Sequence, residues 1–151
     1  ARANVLTGNQ IGGQPGPAAI RYPLKLAACD IQYDVSLPFS TSHSLRIQGS
    51  RPDHVFLVQV ANRFLSIARQ PTESEPRGNT VLSTAKLRLA PGQWVRVHVH
   101  LSGDELAVQI ADTVVRAHHP TLTKTKPAIA LLVNGRGAAF RNLVISAPRP
   151  D

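Results

Sequence analysis

Methionine is absent from the 151 residues, cysteine and tryptophan occur once each, and only 9 residues are acidic. Without methionine, the chain is expected to be a processed product or a piece of a longer protein. A lone Cys29 excludes an internal disulfide framework and a cysteine-rich zinc site. No apolar run approaches the ~18 residues of a membrane span, and no signal-peptide pattern opens the sequence. Aromatic residues make up 5%, so a stacking platform of several exposed rings is not expected once the core has taken its share. There is no G-x-S-x-G, no phosphate loop and no dinucleotide fingerprint, and no cofactor is expected.

Basic residues, in contrast, are plentiful: 17 Lys and Arg give a formal net charge of +8. Most are Arg, whose planar fork suits carboxylate, sulfate or phosphate. They are scattered, and only Lys124 and Lys126 approach a cluster. A nucleic-acid binder gathers charge into a helix or stripe beside stacking rings, so that partner is not favoured. A solvated basic surface is the plainer reading, and an anionic polymer such as an acidic or sulfated glycan is the alternative.

Period-two alternation dominates the chain, with no sustained helical pattern. Cys29, Ile31, Tyr33, Val35 and Leu37 alternate with Asp30, Gln32, Asp34 and Ser36, which predicts a half-buried strand ending at Pro38. Leu45 and Ile47 alternate similarly, and the apolar run 54–60 predicts a strand covered on both faces. A tight turn at 61–63 leads into a strand over 64–69, and 71–79 reads as a long exposed loop. After a weaker candidate at 81–89, residues 94–101 put Val95, Val97, Val99 and Leu101 on one face and Trp94, Arg96, His98 and His100 on the other. Leu106, Val108 and Ile110 make the hairpin partner, and 113–117, 128–134 and 138–146 supply three more strands. One helical turn is expected near 119–123, with connecting turns at 124–127 and 134–137. About ten short strands predict an all-β sandwich or barrel. It is expected to form one domain over 1–146, with 147–151 as a tail or the start of a linker.

Glycosidic hydrolysis normally needs two facing carboxylates. Asp30 and Asp34 share a strand face, with Cα atoms about 13 Å apart at ~3.3 Å per residue, and a solvated, charge-balancing role explains them more simply. His98 and His100 project the same way and could ligate zinc if a third group arrived, but no Cys or Glu companion is evident, so no metal is assigned. Cys29 falls on a core face and reads as a buried, inert thiol.

In the second half, Pro91-Gly92-Gln93-Trp94, Gly103-Asp104-Glu105-Leu106, Ile129-Ala130-Leu131 and Phe140-Arg141-Asn142-Leu143-Val144-Ile145 form a recognisable series. It resembles the concanavalin A-like jelly rolls of the 3-keto-disaccharide hydrolase family, over roughly the last 60 residues. The resemblance implies a two-sheet antiparallel sandwich of jelly-roll type. It also implies a packing or turn role for Trp94, Gly103 and Phe140, and a role for Asn142 in satisfying backbone groups. The departures lie where chemistry would sit. Leu132, Val133, Asn134 and Gly135 replace the family's Gln-Asp-His-Gly, residues 54–59 carry no carboxylate, and Ala111-Asp112 stands for the usual Asn-Gly.

The leading expectation is therefore a non-catalytic module of a larger secreted or periplasmic protein, one that binds carbohydrate or docks other domains. A glycoside hydrolase acting on 3-keto-disaccharides or related glycosides, as the family implies, is one alternative. A structural or sensory appendage without a small ligand is another. Arg46, Gln48, Gln59 and Asn134, on strands that would line the family's concave sheet, are the candidate ligand-binding residues.

Overall fold

The computed structural model describes residues 5–8, 18–39, 41–49, 54–70 and 80–147. Its strands are β1 (Val5–Gly8), β2 (Ala18–Leu26), β3 (Cys29–Ser36), β4 (Ser42–Gln48), β5 (Val55–Val60), β6 (Phe64–Arg69), β7 (Thr80–Lys86), β8 (Trp94–Ser102), β9 (Glu105–Ile110), β10 (Thr113–His118), β11 (Lys126–Asn134) and β12 (Ala138–Ser146). A 3-10 turn at Pro120–Thr123 falls where a helical turn is expected. The strands form two six-stranded antiparallel sheets, the first in the order β1-β12-β3-β8-β9-β10 and the second in the order β2-β11-β4-β5-β6-β7. The expected long loop at 71–79 lies outside the described residues.

Alternation decides which side chains meet between the sheets. Cys29, Ile31, Tyr33 and Val35 of β3 and Val97, Val99 and Leu101 of β8 face the second sheet's Leu45, Ile47, Phe56, Val58, Val60, Leu65 and Ile67. β5 is buried on both sides, Val55 and Leu57 included, as its continuous apolar run predicts. The hairpin between β9 and β10 keeps a left-handed residue at Ala111, φ 52°, where a glycine or asparagine would sit with less strain.

Three features depart from the sequence reading. First, β1 and β2 are additional strands, each at the edge of its sheet. Pro23 breaks the strand pattern of β2, yet an edge strand tolerates a residue without an N–H donor. Second, Lys126 belongs to β11 and not to a turn, and it is only 2% exposed. Its ammonium donates to the carbonyls of Ala27 and Leu122, beside the buried Cys29. It therefore closes one end of the core and forms no basic patch with Lys124. Third, a bulge in β12 between Arg141 and Val144 switches the inward parity from Ala138 and Phe140 to Leu143 and Ile145. Asn142 sits in that bulge at φ 57°, and its amide binds a carboxylate, not the backbone groups expected.

One polar bridge crosses the core. His43 of β4 donates from Nδ1 to the Leu132 carbonyl at 2.9 Å, which leaves Nε2 to accept from the Tyr33 hydroxyl of β3 at 2.7 Å. Phe140 packs its ring edge-on against the imidazole. Burial pushes the His43 pKa down to about 4, against a smaller opposing effect of the Leu132 carbonyl, and pushes the Tyr33 hydroxyl up. The unfolded chain therefore takes up a proton near pH 6.5 that the folded chain refuses until about pH 4. The His43 contribution to stability should be full above pH 6.5 and fall as the pH drops through this window, by about 3 kcal/mol in all. Urea denaturation at several pH values should show this decline, and His43→Gln should flatten it. A wild-type midpoint that stays constant from pH 7 to 4.5 contradicts the assignment.

Candidate functional site

The two outer faces carry charge in opposite ways. On the first sheet, every outward acid is engaged. The Asp34 carboxylate accepts from Arg96 Nε at 2.9 Å, Asn142 Nδ2 at 2.8 Å and Arg141 Nε at 3.4 Å. Burial raises its pKa, but these donors prevail and hold it below the usual range. Asp34 is thus nearly buried and fully paired, not the solvated carboxylate expected. Asp30 accepts from His100 Nδ1 at 2.6 Å and lies 3.5 Å from His98 Nε2, and the His100 bond is the main cause of its lowered pKa. Glu105 pairs with Arg116 at 2.9 Å, and His118 lies between Asp104 and Glu105. Arg141 also stacks 4.0 Å over the Trp94 ring, which occupies that ring's face. Among the described residues, no group of three or more His, Cys, Asp or Glu is arranged to hold a metal ion.

The second sheet is different. None of its six strands contains Asp or Glu, while Arg21, Lys25, Arg46, Arg69 and Lys86 all lie on them. Because His43, Leu45 and Ile47 point inward, Ser42, Ser44, Arg46 and Gln48 line the outer face of β4. Arg46 pairs with Ala130 of β11, and Ala130 in turn pairs with Arg21 of β2, so two guanidinium-bearing positions flank one alanine. Arg21 donates to Gln48 Oε1 at 3.4 Å. Arg21, Arg46, Gln48 and Ala130 border a depression of about 40 Å³, room for one carboxylate-sized group when a water takes about 30 Å³. The Arg46 Nε is buried there and makes no hydrogen bond. Such an orphaned donor is costly unless a ligand or water meets it.

The four candidate residues all face outward on this sheet, but only two of them meet. Arg46 and Gln48 share the depression. Gln59, across from Ser44, is occupied by the Ser66 hydroxyl at 2.9 Å. Asn134 pairs with Ser42 at the far end of β4, about 13 Å along the strand from Arg46 at ~3.3 Å per residue. Arg21 was missed, because its partnership depends on an edge strand that Pro23 disguises. Two rings are exposed: Phe39 is 69% and Phe64 42% accessible.

No protein-family model and no curated protein matches the sequence. The fold, in contrast, has many solved counterparts. The carbohydrate-binding module CBM66 from Bacillus subtilis superposes with a TM-score of 0.65 at 13% identity, covering 95% of this chain and 92% of that one. Domains LG4-5 of the mouse laminin alpha1 chain give 0.61 at 17% identity, with 100% of this chain spanning 48% of theirs. Sheep galectin-11 gives 0.56 at 15% identity, over 88% and 99% of the two chains. The architecture is a concanavalin A-like jelly-roll sandwich, the fold expected from the sequence.

Asp34 is the hub of the paired face, so its loss should be felt in stability. Asp34→Ala strands Arg96, Arg141 and Asn142 without their acceptor and should lower the unfolding free energy by about 1–3 kcal/mol. Asp112→Ala, at an exposed turn, should change it by no more than about 0.5 kcal/mol. Parallel chemical denaturation of both variants checks this.

Proposed function

We propose that the chain is a non-catalytic carbohydrate-binding module of a larger secreted or periplasmic protein, and that its ligand is an acidic glycan held on the outer face of the second sheet. The observation that carries this reading is the Arg21–Arg46–Gln48 depression, with its unpaired buried Nε, on a sheet whose strands contain no acid. A uronate carboxylate or a sulfate group would fill the depression and take the free donor through a charge-assisted bond. Ala130 and Leu132 of β11, both partly exposed, present apolar surface beside it on which sugar C–H faces can rest. The sandwich fold, shared with proteins named as carbohydrate-binding modules and galectins, supports the ligand class.

Catalysis on this face finds no support, since hydrolysis needs carboxylates and the sheet's strands have none. Asp30 and Asp34 stand on the opposite sheet, the first hydrogen-bonded to His100 and the second paired with Arg96. No helix among the described residues is long and apolar enough to cross a membrane.

Calorimetric titration with a polyuronate or sulfated polymer tests the reading. The double variant Arg46→Ala with Gln48→Ala should weaken binding about tenfold, the loss of roughly 1.4 kcal/mol, and more than Arg77→Ala does. Affinity should fall with added salt. Equal losses at Arg46 and Arg77 would mean diffuse attraction without a site. Turnover of a glycoside or 3-keto-glycoside that disappears in Asp30→Asn or Asp34→Asn would replace the module with the hydrolase.

A further inference from the structure

One end of the sandwich carries a groove that the β4 depression does not use. It is about 1080 Å³ in volume, slightly larger than the ~300–1,000 Å³ of small-molecule pockets. Its walls come from four separate places in the chain: Phe39 after β3, Asn62 and Arg63 between β5 and β6, the segment from Lys86 to Gln93, and Thr113 at the start of β10. These walls are fixed to one another. Asn62 Nδ2 donates to the carbonyls of Leu37 and Leu89, at 3.4 and 3.2 Å. The backbone N–H groups of Leu87, Leu89 and Gly92 donate to Arg63, Asn62 and Leu37, at 2.9, 2.9 and 3.0 Å. The backbone of the groove is therefore held in place, and binding would order mainly its exposed side chains.

Its chemistry is one-sided. Arg63, Lys86 and Arg88 are exposed on its walls, and among the described residues no acid lines it and none of the three cations has an ion pair. The nearest acid in sequence, Asp112, lies in the exposed turn next to Thr113. Phe39 is 69% accessible, the most exposed of the large apolar side chains described. An exposed ring beside three exposed cations suits a ligand with both a flat apolar face and anionic groups.

The geometry points to a second binding site in this groove for an acidic oligosaccharide. Phe39 stacks against the C–H face of one sugar, and Arg63, Lys86 and Arg88 meet its carboxylates or sulfates. A single-stranded nucleic acid would need successive rings and a row of cations along its backbone, whereas the groove offers one ring. The site shares no residue with the β4 depression and rests on the proposed function only for its ligand class.

Calorimetric titration of the whole chain with a galacturonic-acid tetramer, a neutral galactose tetramer and an oligothymidylate tests it. The charged tetramer should show two binding events. Phe39→Ala, or Arg63→Ser combined with Arg88→Ser, should weaken one of them by about tenfold. Arg46→Ala with Gln48→Ala should leave that event intact and weaken the other. All substituted side chains but Arg46 and Gln48 lie on the groove surface, and unchanged thermal melts would show that folding is preserved. Uronate binding unaffected by the groove variants overturns the second site and leaves the proposed function standing. Uronate binding lost only in the groove variants supports the groove and overturns the β4 site. Tighter Phe39-dependent binding of oligothymidylate, or of the neutral tetramer, overturns the ligand class, and no binding of any probe overturns both sites.

Discussion

The hydrogen bond from Tyr33 to His43 is the one side-chain polar link between the two sheets within the core described here, and the outward faces follow from it. A buried hydroxyl and imidazole are tolerated only when both are satisfied, and here each satisfies the other while Nδ1 takes the Leu132 carbonyl. With Tyr33 and His43 turned inward, the period of two turns Asp30 and Asp34 outward on one sheet and Ser44, Arg46 and Gln48 outward on the other. A slip of one residue in either strand would bury a charge and break the bridge at once.

The charge distribution follows from that choice. In the linear chain the arginines are dispersed without pattern, and no cluster stands out. Folding sorts them. Arg96, Arg116 and Arg141 are brought to the carboxylates of the first sheet and neutralised there. Lys126 is removed from the surface altogether. The excess positive charge is thereby concentrated on the second sheet and the end groove, where Arg21, Arg46, Arg63, Lys86 and Arg88 have no carboxylate partner among the described residues. Net charge alone would suggest only diffuse attraction to anions; the sorting gives that attraction a direction.

How much could be read in advance depended on whether a feature was local. The β8–β9 hairpin was legible because Val95 to Leu101 and Leu106 to Ile110 alternate strictly and Gly103 marks the turn. The sandwich followed from repeating such segments. β2 was not legible, since its pairing with β11 brings together residues a hundred positions apart and Pro23 masks it. The same distance hid Arg21 from its neighbours Arg46 and Gln48, whose i and i+2 spacing on one strand is legible locally. Lys126 and Asp34 were misjudged for a common reason. Both are charged groups whose burial depends on donors or acceptors supplied from distant strands, and no local pattern reports that. Phe39, in contrast, stands on a loop after β3 and is exposed, which no strand alternation reports.

Amide chemical-shift mapping during titration with an oligouronate tests the central claim, that the sheets divide the charge so that one outer face is left to bind anions. The account predicts shifts at Arg21, Arg46, Gln48 and Ala128 to Ala130, with the strands carrying Asp30, Asp34, Arg96 and His98 unmoved. Shifts centred on those first-sheet residues, with the second sheet silent, would contradict it.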